Sequence, residues 1–301
     1  MEFFTFEPEP AVHIRYAVSR TSASMRRVLI LANGRGEFIE KYEEVIQELN
    51  TRGFDVWTMD WRGQGLSSRP LAQWQKGHCD SFEMYLSDFH KFVQRVENCD
   101  ANGGPYLIGH SMGGHLGLRY LAMHPETFSR AVIIAPLIEF PKTPFSPLIQ
   151  LVVKLMCALG CSRWYFFRGD YGSKQEVFEG NRLTSDPERF KIKGNAIRKN
   201  PKLALGGITL GWLRAAGRSV ATLRRVAERI LCPVLFVVPE REQVVDGTAA
   251  PEFARRVPRG EVCLLADSRH EVLFETDAIR EQFWSAVDPF LKDANTDASS
   301  D

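Results

Sequence analysis

Short β-type runs of mainly apolar residues alternate along this chain with longer helix-like segments. His13–Ala17, Val28–Ala32, Asp55–Met59, Tyr106–Gly109, Ala131–Ala135, Val234–Val238 and Val262–Leu265 predict strands, and Lys41–Leu49, Phe82–Val96, His115–Met123 and Ala278–Leu291 predict helices. Continuous apolar strands separated by helices indicate a mostly parallel sheet covered on both faces. The expected class is therefore α/β. The rhythm stops after Ala135. Residues from about 138 to 215 carry Pro141, Pro144 and Pro147, an apolar run, the aromatic cluster Trp164-Tyr165-Phe166-Phe167 and a basic stretch from Arg189 to Lys202. This part reads as a helical cap, 138–215, inserted into a core made of 1–137 and 216–292. The tail 293–301 is small, polar and acidic and reads as disordered.

Charge sharpens that division. Residues 141–220 hold 14 Lys+Arg against 5 Asp+Glu, a surplus of +9 in a chain of net +1, so the remainder stands at −8. The near-neutral total and the lack of any recognition motif argue against a nucleic-acid partner. At 301 residues, 44% hydrophobic and 25% charged, the chain has the composition of a soluble globular protein large enough to bury a sizeable core. The six cysteines, Cys79, Cys99, Cys157, Cys161, Cys232 and Cys263, are scattered. Cys232 and Cys263 adjoin strand runs and read as small core residues. Cys157 and Cys161 lie one helical turn apart without the further ligands a metal site needs.

Met1–Pro10 lacks the form of a signal peptide, and Pro147–Cys161, broken by Gln150 and Lys154, is too short to span a bilayer. The expected address is cytoplasmic, with peripheral contact at the inner face of the membrane through the basic cap left open. The stripe Leu148, Val152, Leu155 and Met156 reads first as internal packing of the cap and, alternatively, as a face for acyl chains or a membrane. The basic side chains of the cap read either as a solvated face or as partners for a substrate phosphate.

Candidate chemistry centres on Gly109-His110-Ser111-Met112-Gly113, between the apolar run Pro105–Ile108 and a helix-like run. Strand, sharp turn and helix are the setting of a nucleophile elbow, which lifts a serine hydroxyl clear of the sheet. Glycines on both sides remove side chains that would collide there. The motif alone is weak. On such a scaffold an acid and then a histidine follow the serine in the chain. His270 is the histidine in a late strand-to-helix loop, whereas His115 and His124 fall in or just after the elbow's own helix. The acid belongs in the loop after Val234–Val238, where Glu240, Glu242 and Asp246 compete. Asp60–Ser67 reads as structural, with Arg62 bracing neighbouring loops, and His78 and His90 read as ordinary loop or helix residues.

Taken together these blocks resemble the bacterial lysophospholipase and monoacylglycerol lipase branch of the α/β-hydrolases. Asn33-Gly34-Arg35-Gly36-Glu37 with Lys41-Tyr42 resembles the H-G-x-G-E…R-Y oxyanion loop, with Asn33 where the family usually has histidine. Asp60–Ser67 resembles D-x-R-G-x-G-x-S. Arg269–Glu275, Leu205–Thr209 and Trp212 are similar to the bacterial lysophospholipases, and the match runs from about 25 to 290. The resemblance implies an α/β-hydrolase fold: a mostly parallel central sheet with helices on both faces and a helical cap insertion. It implies Ser111 as nucleophile, His270 as base and Glu242 as the orienting acid, with Asp246 as runner-up and Glu240 third. It also implies the backbone N–H groups of Arg35 and Met112 as oxyanion donors. The expected substrate is a single-chain lipid ester, a lysophospholipid or monoacylglycerol. Small-ester hydrolysis, peptide hydrolysis and a catalytically silent binding role are the alternatives. Neither a metal nor an organic cofactor is called for, and a histidine base predicts activity climbing through about pH 6–7.

Overall fold

The structure is a computed structural model that describes residues 1–24, 26–97, 104–143, 146–167 and 169–292. Cys99 and the tail 293–301 lie outside the described residues. Among the described residues there are eight strands, β1 (Glu2–Glu9), β2 (Val12–Ser19), β3 (Arg27–Ala32), β4 (Phe54–Met59), β5 (Tyr106–His110), β6 (Arg130–Ile134), β7 (Val234–Pro239) and β8 (Gly260–Leu265). They form one sheet in the order β1-β2-β4-β3-β5-β6-β7-β8. β1, β2 and β4 pair antiparallel, and every pair from β4 through β8 is parallel.

The helices are α1 (Glu43–Thr51), α2 (Phe82–Glu97), α3 (Met112–Met123), α4 (Ser146–Ala158), α5 (Pro187–Lys199), α6 (Leu210–Leu223), α7 (Ala249–Ala254) and α8 (Asp277–Leu291). Successive residues of a strand point to opposite faces, and here both faces are apolar. Ile30, Leu107, Ala131 and Ile133 face the core shared with α2, α3 and α6. Leu29, Leu31, Tyr106, Ile108, Val132 and Ile134 face the opposite core, shared with α1 and α8. The sheet is thus sandwiched between two helical layers, as continuous apolar strands require.

Three readings of the sequence differ from the fold. β1 has no counterpart among the strands the sequence predicts, because its acidic, proline-containing sequence is that of an edge strand and only Phe6 and Pro8 are buried. α3 begins at Met112, immediately after the elbow serine, three residues before the apolar run suggests. In α4 the side buried against Leu210 of α6 is Val153 and Cys157, so Leu148, Val152 and Leu155 face outward. The internal-packing reading holds for Met156, which packs against that buried pair, and is corrected for Leu148, Val152 and Leu155: the helix is apolar on more sides than its neighbours cover.

The residues between β6 and β7 contribute α4, α5 and α6, and this segment meets the loops after β3 and β4 where Arg35 bonds the Gly206 carbonyl and Gly77 N–H the Gly207 carbonyl. α6 lies across position 215 and packs Trp212, Ala215, Ala216 and Val220 into the main core. No helix among the described residues is long and apolar enough to cross a membrane. Cys232 is buried and Cys263 half-buried.

Candidate active site

The turn between β5 and α3 holds Ser111 at φ 52°, ψ −114°, left-handed backbone that a residue with a β-carbon occupies at a cost. Neighbouring contacts hold it there. Ser111 N–H donates to the Ile134 carbonyl (2.9 Å), and its own carbonyl accepts from His115 N–H (2.9 Å) and Leu137 N–H (3.2 Å). The flanking glycines are needed for space. A β-carbon on Gly113 would stand 2.1 Å from the Ala32 carbonyl oxygen, and one on Gly109 would stand 2.9 Å from Gly114 Cα. The Ser111 side chain does not cap α3, so its hydroxyl is available to another partner.

That partner is His270. Its Nε2 lies 3.0 Å from Ser111 Oγ, and its Nδ1 lies 2.7 Å from Glu242 Oε2. Nδ1 facing a carboxylate fixes the tautomer: Nδ1 carries the proton, and Nε2 is left to accept one from the serine. Burial opposes the charge on Glu242, but the hydrogen bond from His270 and the amides of Val244 and Val245 outweigh it and hold the carboxyl below its ordinary range. The rival acids are engaged elsewhere. Asp246 accepts from Thr248 and pairs with Lys142 at 3.3 Å, and Glu240 accepts from Asp267 N–H at 2.9 Å.

Beneath this row lies a buried polar cluster whose Glu37 and Lys41 the sequence reading placed in the oxyanion-loop block without giving them a role. Glu37 accepts from Gly34 N–H, Tyr42 Oη and Lys41 Nζ, and Lys41 also reaches Glu271 Oε2 at 2.8 Å. Lys41 is held above its ordinary range by Glu271 and Glu37 against the opposing effect of burial. Burial likewise opposes the charge on Glu37, yet Lys41 and His110 keep it well below the usual carboxylate range. His110, the residue before Ser111, places Nδ1 3.0 Å from Glu37 Oε2 and Nε2 3.1 Å from the His270 carbonyl oxygen. A carboxylate and a carbonyl both accept, so both ring nitrogens are called on to donate, which is the imidazolium form. Burial works against that charge, and Glu37 overrides it, raising His110 above its ordinary value. The cluster therefore ties the Asn33–Glu37 loop, the elbow and the His270 loop together.

Arg35 follows Gly34 in that loop, and its guanidinium donates to the Gly206 carbonyl at 2.8 Å. Gly36 N–H donates to Gln64 Oε1, while Gln64 Nε2 touches Met112 Sδ at 3.8 Å, so Gln64 couples the loop to the elbow. Met112 opens α3, and first-turn amides of a helix lack partners within the helix. Asn33 is buried, with Nδ2 donating to the Met59 carbonyl (3.0 Å) and its backbone oxygen accepting from Trp61 Nε1 (2.8 Å). It fastens the loop to the residues after β4. In the Asp60–Ser67 block, Asp60 accepts from Ile39 N–H (3.1 Å) and Leu66 N–H (2.9 Å), and Arg62 pairs with Asp88 (2.7 Å) and Glu9. His78, which the sequence left without a partner, bonds Thr209 Oγ1 at 2.8 Å, and His90 bonds Tyr120 Oη at 3.1 Å.

A nucleophile elbow at the end of a central parallel strand, with a histidine and a buried carboxylate delivered by two later loops, is the construction of a serine hydrolase on the α/β-hydrolase fold. Residues 23–277 match the family described as serine aminopeptidase, S33, and the chain belongs to that family. Among curated relatives, a probable lysophospholipase L2 of Haemophilus influenzae is 33% identical, with 92% of this chain and 87% of that one aligned. Lysophospholipase L2 of Escherichia coli is 28% identical over 90% of this chain and 82% of its own. Among solved structures, a soluble variant of monoglyceride lipase from Saccharomyces cerevisiae superposes with a TM-score of 0.77 at 21% identity, covering 97% of this chain and 94% of that one. At that identity the likeness speaks for the fold.

Proposed function

We propose that this protein hydrolyses the carboxylic ester of a single-chain lipid, a lysophospholipid or monoacylglycerol, through an acyl-enzyme on Ser111. The observation that carries this reading is the unbroken hydrogen-bonded row Ser111–His270–Glu242 at a strained elbow. Ser111 Oγ attacks the ester carbonyl as His270 Nε2 takes its proton. Glu242 holds the ring and offsets the charge it gains. The amides of Arg35 and Met112 receive the oxyanion, an interaction whose loss typically costs about 10²–10³ in rate. His270 then protonates the departing alcohol, and a water activated by the same ring cleaves the acyl-enzyme. The choice of a lipid ester is supported by the curated relatives named lysophospholipase L2 and by the apolar and basic insertion. In this reading residues 138–215 act as the cap over the site.

The family description favours one second reading, an aminopeptidase. A substrate with a free α-ammonium needs an acid to receive it. Glu37 and Glu271 are both engaged by Lys41, which speaks against that reading. A panel of lysophospholipid, monoacylglycerol, short p-nitrophenyl ester and aminoacyl amide, run on wild type and Ser111→Ala, tests the proposal. We expect turnover of the lipid esters by wild type and its loss in Ser111→Ala. Turnover of the amide alone would overturn the ester reading.

The same proposal includes contact with a lipid surface. Leu148, Leu151, Val152, Leu155 and Leu159 are exposed along α4 and just beyond it, and Trp164 and Phe167 are exposed nearby. Lys154 and Arg163 lie within the same stretch. A contiguous apolar face bordered by cations suits an anionic bilayer surface.

A further inference from the structure

Lys193 lies on α5 one turn after Arg189 and one turn before Ile197, so the three side chains share a face. Each end of that face is anchored. Arg189 reaches Glu44 of α1 at 2.6 Å and Asp277 at 2.7 Å, while Ile197 packs beside Phe38, just past the oxyanion loop. Lys193 is left facing the loop itself. A β-carbon built on Gly36 would stand 3.5 Å from its Nζ, and Gly36 directly follows Arg35.

The amine has no ion-pair partner of its own among the described residues. Lys193 makes no hydrogen bond or ion pair with any described residue, although it is only partly exposed. The carboxylates that face it are Glu37 and Glu271, and Lys41 takes both, at 2.6 and 2.8 Å. Arg35, another cation, also faces it. Three cations thus surround two carboxylates, with His110 adding positive charge from the elbow. Burial, reinforced by Lys41, lowers the Lys193 amine to about 8. A half-buried ammonium without a counter-ion costs free energy unless something anionic arrives.

Resting on the lipid-ester reading, we propose that Lys193 is the specificity-determining residue that receives the phosphate of a lysophospholipid head group, selecting phosphorylated glycerol esters over neutral monoglycerides. In a glycerophospholipid the phosphate stands a three-carbon glycerol away from the scissile ester. With that ester carbonyl at the amides of Arg35 and Met112, the phosphate has a short reach to an ammonium poised over Gly36. A compact point charge on a flexible stem suits a tetrahedral anion that must also leave.

The test compares lysophosphatidylglycerol with monoacylglycerol of the same acyl chain, on wild type, Lys193→Met and Lys193→Arg, each shown to be folded by its thermal transition. A charge-assisted hydrogen bond is worth about 10- to 100-fold. The ratio of kcat/KM values, phospholipid over neutral lipid, falls by about that factor in Lys193→Met through a rise in KM, and Lys193→Arg keeps most of it. In wild type the same ratio declines as pH rises through about 8, a dependence that Lys193→Met abolishes. An unchanged ratio in Lys193→Met, or an equal loss on both lipids, would overturn the assignment, as would a wild-type ratio flat across that pH range. Failure of wild type to cleave either lipid would instead sink the lipid-ester reading itself.

Discussion

Glu242 and His110 hold His270 from opposite sides, one at its ring and the other at its backbone carbonyl, and each has a distinct expected signature. Glu242→Gln preserves shape but removes the charge and invites the wrong tautomer, for which a loss in kcat of up to about 10⁴ is expected with folding intact. Steady-state kinetics on a soluble ester checks this. The Glu242 carboxyl lies below its ordinary value, so its stabilising contribution is complete above about pH 4.5 and is lost as pH falls through the lowered value. His110 runs the other way. Its raised value means the clamp contributes fully below about pH 6.5 and is lost as pH rises through the raised value. His110→Leu removes the hydrogen bond to the His270 carbonyl. Small displacements of a catalytic group cost up to about 10², so kcat should fall by about 10- to 100-fold with little change in KM. A kcat equal to wild type would show that the clamp does not position the base.

At the scale of elements, the link from β5 to α3 illustrates how much the sequence discloses. Two glycines around a serine, after an apolar run, were enough to foresee the strand, the turn and the helix. The sequence puts the start of α3 three residues late because Gly113 and Gly114 weaken the helical signal, though both are there for close contact with neighbouring strands and loops. Gly113→Ala should cost more than about 2 kcal/mol or prevent folding, since its β-carbon meets the Ala32 carbonyl rather than a flexible side chain. Gly217→Ala in α6 is the control: nothing lies within 4 Å of its β-carbon, and helix propensity favours alanine by about 0.5–1 kcal/mol. Thermal unfolding of both variants reads the contrast. β1 escaped notice because an edge strand needs only one apolar face, which Phe6 supplies by packing against Tyr16 and Phe92. The serine, histidine and carboxylate that the fold brings into one hydrogen-bonded row could be named from chain order and resemblance. The cluster beneath them could not, since Glu37 and Glu271 come from two loops and His110 from the end of β5, and only the folded sheet brings them together.

Across the whole molecule, positive charge and exposed apolar surface gather in one stretch, the insertion between β6 and β7 with the outward leucines of α4. If that face meets lipid, Leu151→Asp with Leu155→Asp should weaken binding to anionic vesicles by at least about tenfold, because exposing rather than burying one leucine costs about 1.5–3 kcal/mol. Turnover of a short soluble ester should persist in the same variant, and vesicle sedimentation with parallel ester assays checks both halves. Equal sedimentation of variant and wild type would remove the surface from the account.

The central claim is that distant side chains converge to make one hydroxyl nucleophilic. Treatment with a fluorophosphonate, followed by mass spectrometry of the digested protein, tests it most directly. The account predicts a single adduct on Ser111 in wild type that is greatly slowed in His270→Ala. A folded wild-type protein that stays unlabelled, or that is labelled at another residue, would contradict it.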